Sequence, residues 1–276
     1  MNSTKQSTKQ STTNTNTHAV NNHNTRTASC LVAISIAILT HSQADAQQTP
    51  IEIGLQNSKA SPYLYVGRVT DKHQDGNGYI GSGVVIKPQS VLTCAHNLWE
   101  SGKGWSSDVK FELGRYDNVV VKTLAASRRT VFAGYSSQNP GNSSSAFARD
   151  LGMINFTAKP MPSGGFAGYW ANTALLTTRG YAKISLGYAG ASPYTGNRIT
   201  QSGSTAAFTP ASGAWLQNPS YGIVGGMSGG PVFVYASGNW YVAAINVSSP
   251  TGVINSNAGV RALDSDGNKF IQSYAY

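Results

Sequence analysis

Short runs in which apolar and polar residues alternate follow one another through most of the chain. Residues 63–70, YLYVGRVT, alternate and carry β-branched side chains. GSGVVIKP (81–88) and SVLTCA (90–95) read as a strand pair. DVKFEL (108–113), NVVVKTL (118–124) and RTVFAGY (129–135) read as further strands, divided by Gly, Asp and Asn turns. DLGMINF (150–156), AKISLGYAG (182–190), RITQSGSTAAF (198–208), PVFVYA (231–236) and WYVAAINVSS (240–249) continue the pattern. Strand signals recur at a spacing of roughly 8–15 residues, and few windows have a helical period. Only NKFIQSYAY (268–276) sets Phe270, Ile271 and Tyr274 at i, i+1 and i+4, which suits a short C-terminal helix. The pattern predicts an all-β sandwich or barrel protein. AKPMPSGG (158–165), with two Pro and two Gly, is the clearest internal linker. It divides a first β unit, 47–162, from a second, 163–276. No internal repeat is present.

The first 46 residues break this pattern. Residues 1–29 are mostly Ser, Thr, Asn and Gln, with Lys5, Lys9 and Arg26 as the only charges. Such a stretch buries too little apolar surface to offset the entropy of ordering. CLVAISIAIL, Cys30 to Leu39, follows and is too short to span a hydrocarbon layer of ~30 Å. Ala44-Asp45-Ala46 then supplies a small-x-small cleavage pattern. A basic n-region, a short apolar core and this site predict a secretory signal peptide over 1–46. Cys30 precedes the apolar run, whereas a lipid-anchored cysteine would follow it. No later stretch reaches 18 apolar residues. The expected product is secreted, extracellular or periplasmic, without a stable membrane anchor.

Composition narrows the class further. The chain has 276 residues, 30 of them Gly and only 11% charged, with a net charge of +9. Glycine and proline are too few for a collagen-like chain, and a coiled coil would need more charge. The basic residues are dispersed, Arg128-Arg129 being the one adjacent pair, so the charge predicts no nucleic-acid partner. Cleavage after Ala46 would leave 17 basic and 10 acidic residues, a net charge of +7, and a single cysteine, Cys94. No intramolecular disulfide is then possible. The expected species is a monomer that relies on its core, which a chain of this size can supply.

Three segments carry chemistry, in this order: VLTCAHNLW with His96, ARDLGMINF with Asp150, and GGMSGGPVF with Ser228. A serine hydroxyl is weakly nucleophilic at neutral pH and needs a base to take its proton. Histidine has the unperturbed pKa for that task. A carboxylate must fix the imidazole tautomer, and backbone amides must face the developing oxyanion. Glycines around the serine allow the strained turn and the close approach of a substrate. Taken singly, each segment also reads as ordinary structure: a glycine turn, a core histidine, a turn-capping aspartate. Together, each beside a strand, they point to nucleophilic catalysis. After Ala46 the chain has two histidines, and His73, in the polar loop TDKHQDGNG, is expected to be solvated. Cys94 is expected to be a small buried apolar residue.

Thr93-Cys94-Ala95-His96, Asp150-Leu151-Gly152-Met153 and Gly226-Met227-Ser228-Gly229-Gly230-Pro231 resemble the three motifs of the chymotrypsin-like (trypsin-fold) serine peptidases. Their separations, 54 and 78 residues, are similar to those of the compact bacterial branch that includes glutamyl endopeptidases. The resemblance covers residues 60–276. It implies two antiparallel six-stranded β-barrels with the active site in the cleft between them. It further implies an oxyanion hole from the amides of Gly226 and Ser228, a protein or peptide substrate, an acyl-enzyme intermediate, and no cofactor. Met227 stands where animal members carry an Asp that pairs with the new N-terminus, so that activation switch should be absent. The resemblance points to Gly222, Ile223, Asn246, Val247 and Ser248 as walls of the substrate pocket. None carries a formal charge, which implies an uncharged or small apolar preference.

No metal site is expected. HQDGNGYIGSGV (73–84) resembles part of an EF-hand loop, but His73 and Val84 stand where its first and last ligands belong, so a tight hairpin is the better reading. The leading expectation is thus a secreted serine endopeptidase. The alternatives are a catalytically silent protein-binding module on the same fold, and a β-sandwich adhesin or lectin.

Overall fold

A computed structural model describes residues 48–136, 143–248 and 258–276. The predicted signal segment, 1–46, lies outside the described residues. In chain order, the strands of the first half are β1 (Ile51–Glu52), β2 (Val66–Lys72), β3 (Gly78–Lys87), β4 (Ser90–Thr93), β5 (Trp99–Glu100), β6 (Gly104–Trp105), β7 (Ser107–Leu113), β8 (Lys122–Ala125), β9 (Arg128–Val131) and β10 (Gly152–Asn155). The second half adds β11 (Lys183–Gly187), β12 (Thr200–Ser204), β13 (Thr209–Ser212), β14 (Trp215–Asn218), β15 (Pro231–Ala236), β16 (Asn239–Ser248) and β17 (Ala258–Ala262). The helices are α1 (Leu55–Ser58), α2 (Ser144–Phe147), α3 (Ala174–Thr177) and α4 (Ser265–Tyr274).

Two antiparallel sheets account for nearly all the strands. One has seven, in the order β8-β7-β2-β3-β4-β10-β9; the other has eight, in the order β1-β12-β11-β15-β16-β17-β14-β13. β5 and β6 form a separate ribbon. The all-β class and the short C-terminal helix agree with the sequence pattern. The resemblance implied six strands per barrel. The sheets have seven and eight strands, the larger one ending in β1, a two-residue strand that pairs Ile51 and Glu52 with Gln201 and Thr200.

Each sheet has its own apolar filling. Val69, Val85, Val91, Phe111, Ile154 and Phe156 pack within the seven-stranded sheet. Leu176, Met227, Val232, Val234, Ala244 and Val260 pack within the eight-stranded one. A third cluster joins residues of both, among them Val84, Leu92, Met153, Leu186, Phe233 and Ile245. Its α4 members, Phe270 and Ile271, lock the helix down. Fully burying side chains of this size stabilises by about 1.5–3 kcal/mol each.

Several boundaries differ from the sequence reading. In YLYVGRVT, Tyr63–Tyr65 form a 3-10 turn after Pro62, and the strand begins at Val66. NVVVKTL is not one strand. Asp117, at φ 52°, starts a tight turn closed by Tyr116 and Val119, and β8 begins at Lys122. Its valines mislead because Val119 and Val121 lie exposed. RTVFAGY is strand only in its first three residues, which end β9 (Arg128–Val131). The β13–β14 hairpin escaped the pattern because TPAS has no apolar alternation.

Asp264 caps α4: its Oδ1 accepts the Gly267 N–H and an Arg261 Nη1–H, both at 2.8 Å. The Arg261 side chain is buried. Asp264→Ala should lower stability by about 1–3 kcal/mol, combining a lost cap with an orphaned cation. Urea unfolding checks this, and an unchanged midpoint would refute it.

Candidate active site

His96 lies at the centre of a 3-10 turn, Ala95–Asn97, directly after β4. All four residues of β4 are buried, and it pairs with β3 and β10. Gly152 lies opposite Thr93 in that register. A methyl group on Gly152 would collide with the Cys94 carbonyl and with Leu98. Glycine there lets β10 approach the histidine turn, and Asp150 arrives with it. On the other side of Asp150, α2 is capped by Ser143, whose Oγ accepts the Ala146 N–H at 3.1 Å.

Asp150 and His96 meet at two points. Oδ1 accepts the His96 backbone N–H at 2.9 Å, and Oδ2 accepts from Nδ1 at 2.6 Å. The Asp150 side chain is 1% exposed and that of His96 31%. Pinning both carboxylate oxygens fixes the ring orientation and places a proton on Nδ1, which leaves Nε2 as an acceptor. Burial disfavours the imidazolium, but the Asp150 carboxylate outweighs it and holds the pKa well above the ordinary histidine value.

Cys94 is fully buried, as expected, but it is more than apolar filling: its Sγ lies 3.4 Å from His96 Nε2. Burial pushes its thiol pKa up, so it stays protonated. The ligand-type atoms of Cys94, His96 and Asp150 lie within 4.8 Å of one another. Both Asp150 oxygens already accept N–H groups, and this cluster is built for hydrogen bonding.

Ser228 lies in a glycine turn that leads into β15. Met227 N–H reaches Val224 O at 3.0 Å, and Gly230 N–H reaches Met227 O at 3.0 Å. Gly226 and Gly229 have φ of 93° and 82°, a region that favours glycine. Gly229 is also forced by space, because a methyl group there would strike Thr93 Oγ1, the Ser82 carbonyl and the Asn97 amide. Among the described residues, the N–H groups of Gly226 and Ser228 and the Ser228 hydroxyl have no hydrogen-bond partner. Two amides without acceptors beside a free hydroxyl fit the oxyanion arrangement. No hydrogen bond joins the Ser228 hydroxyl to His96. The Ser228 carbonyl instead ties the serine turn to β3, by accepting the Ser82 N–H at 2.7 Å, and to the histidine turn, by accepting Asn97 Nδ2–H at 3.1 Å. Met227 is fully buried in the apolar core of its own sheet, with no charge to offer.

The residues expected to wall the pocket fall in different environments. The Gln48 carbonyl lies against Gly222. Ile223 and Val247 are buried, and Ser248 is half-buried with its Oγ against Gly259. Asn246 is fully buried and offers no open surface. Its Nδ2 donates to Leu186 O at 3.2 Å and Met227 O at 3.3 Å, and its Oδ1 accepts from Ser185 Oγ at 2.9 Å.

His73 corrects the sequence reading: it is 4% exposed, not solvated. Nε2 lies 3.2 Å from Asp71 Oδ2, and Ser106 Oγ lies 3.4 Å from Nδ1. Ser106 Oγ also donates to the Asn97 carbonyl at 3.1 Å. The loop looked hydrophilic, but Glu100 on β5 and Ser106, just after β6, close over it. Asp75, the EF-hand-like position, accepts the Asn77 N–H at 2.9 Å, which makes the loop a tight turn.

A family model described as a trypsin-like peptidase domain matches residues 81–243. That span contains all three motifs and more than half the chain. The chain belongs to the trypsin-like peptidase domain family. Solved structures agree on the fold of this peptidase. Thermostable serine protease AL20, from an extremophilic microorganism, superposes with a TM-score of 0.63 at 18% identity, covering 75% of this chain and 94% of that one. Protease Anisep from Arthrobacter nicotinovorans gives 0.63 at 20% identity, covering 78% and 96%. A Glu endopeptidase in complex with MPD gives 0.66 at 16% identity, covering 83% and 98%. No curated protein sequence matches the chain.

Proposed function

We propose that this trypsin-like peptidase is a secreted serine endopeptidase, with barrels over 47–162 and 163–276. The observation that carries the reading is the two-point grip of Asp150 on His96, beside a serine turn whose two amides are free. In the first step Ser228 Oγ bonds to the substrate carbonyl carbon and His96 Nε2 takes its proton. The carbonyl oxygen gains negative charge and accepts the N–H groups of Gly226 and Ser228. His96 then gives the proton to the leaving amine as the peptide bond breaks, which leaves an acyl-enzyme on Ser228. Water, deprotonated by His96, releases the acid and restores the hydroxyl. Asp150 keeps its two-point grip on His96 and stabilises the imidazolium.

A fluorophosphonate tests this reading, because it labels only an activated serine. The folded protein should carry one adduct, on Ser228, and should cleave a peptide library with an uncharged preference before the cut. A folded protein with no adduct and no cleavage would instead be a protein-binding module.

A further inference from the structure

The free Ser228 amide needs an explanation of its aim. In a trans peptide the C=O and N–H point in opposite directions, so holding the carbonyl fixes where the N–H points. The peptide between Met227 and Ser228 carries one free N–H. Its carbonyl, Met227 O, accepts from Asn246 Nδ2 at 3.3 Å and from the Gly230 N–H at 3.0 Å. The next peptide, between Ser228 and Gly229, has its carbonyl held by Asn97 Nδ2 at 3.1 Å and by the Ser82 N–H at 2.7 Å. A side-chain amide therefore grips the peptide on each side of Ser228.

Both asparagines are themselves braced. Asn97 Nδ2 also donates to Thr93 Oγ1 at 3.0 Å, and Thr93 Oγ1 donates to Ser82 O at 2.7 Å. Its amide is wedged between Gly81 and Gly229, either of which a methyl group would drive into it. Asn246 is tied to Ser185 and Leu186 on β11. Asn97 immediately follows His96, so its grip also fixes the distance between the base turn and the serine turn. Among the described residues no disulfide does so, since Cys94 is the sole described cysteine and is free.

We infer that Asn97 and Asn246 are positioning residues, which hold the two peptides flanking Ser228 so that its hydroxyl and amide face one reacting carbonyl. The inference rests on the peptidase reading above. Neither side chain touches substrate; each acts through a backbone carbonyl.

The test is Asn97→Ala and Asn246→Ala, made separately in the full chain. Each is assayed on a chromogenic peptide, with active sites counted by fluorophosphonate titration. Removing an oxyanion donor outright costs about 10²–10³ in kcat; a misaimed Ser228 amide in Asn246→Ala, or a misplaced Ser228 hydroxyl in Asn97→Ala, should cost about 10–100-fold per titrated site. KM and the midpoint of the pH profile should stay near wild type, because neither residue touches the pocket or the imidazole. A purely structural role would reduce the titratable fraction and leave kcat per titrated site unchanged. That result, in either variant that folds, overturns the inference. The two lie on different elements, so one that fails to fold leaves the other to decide. Absence of turnover and labelling in wild-type protein would overturn the peptidase reading itself, a different outcome from an active wild type with unimpaired variants.

Discussion

Ser228→Ala should lower kcat by about 10⁶-fold, the scale on which loss of the nucleophile disables such a constellation. The mutation removes one oxygen from a half-buried residue, and that oxygen has no hydrogen-bond partner among the described residues. It leaves no buried orphan and no cavity. The turn is held by its glycines and by the carbonyls of Met227 and Ser228, which the substitution leaves untouched. The thermal unfolding midpoint should therefore equal that of wild type, and peptide substrates should still bind. Turnover of about 10³–10⁴ over water should survive, from the amides and from substrate positioning. Steady-state hydrolysis and thermal melting of the same preparation separate these effects. A stable variant with near-normal turnover would remove Ser228 from the mechanism.

The triad candidates were legible because each needs a particular residue type in a particular local setting. A histidine after a buried strand, an aspartate before another and a serine among glycines are rare together, and their order added weight. The strands that alternate and bury one face were legible for the same reason: β3, β4, β15 and β16 lie where the pattern put them. What stayed hidden acts through the backbone. Asn97, Ser82 and Asn246 bond to carbonyls, and a carbonyl has no residue type, so nothing in one sequence marks its partner. The resemblance pointed to Asn246 as a pocket wall, whereas its amide is buried and bonded to Ser185, Leu186 and Met227. His73 was hidden by a different cause. Its neighbours in sequence are polar, and its burial comes from Glu100 and Ser106, 27 and 33 residues further along.

Asp150→Asn should cost about 10⁴ in kcat, and the geometry says why. The His96 backbone N–H can be satisfied only by an oxygen, and it lies 2.9 Å from Oδ1. An asparagine would therefore keep its oxygen at that position and turn its NH₂ group toward Nδ1. Nδ1 would become an acceptor, the ring proton would move to Nε2, and Nε2 could no longer take a proton from Ser228. The pH profile gives an independent sign. In wild type the base works when neutral, and Asp150 stabilises the charged form, so the pKa is raised above its ordinary value. Activity should fall as the pH drops through that raised value, which puts the acid limb of kcat/KM above about 6.5. In the asparagine variant the stabilising charge is gone, and burial still disfavours the imidazolium. The limb of the residual activity should move to lower pH. An acid limb that stayed in place, or moved upward, would mean that Asp150 does not tune His96 and that the proton passes through another group.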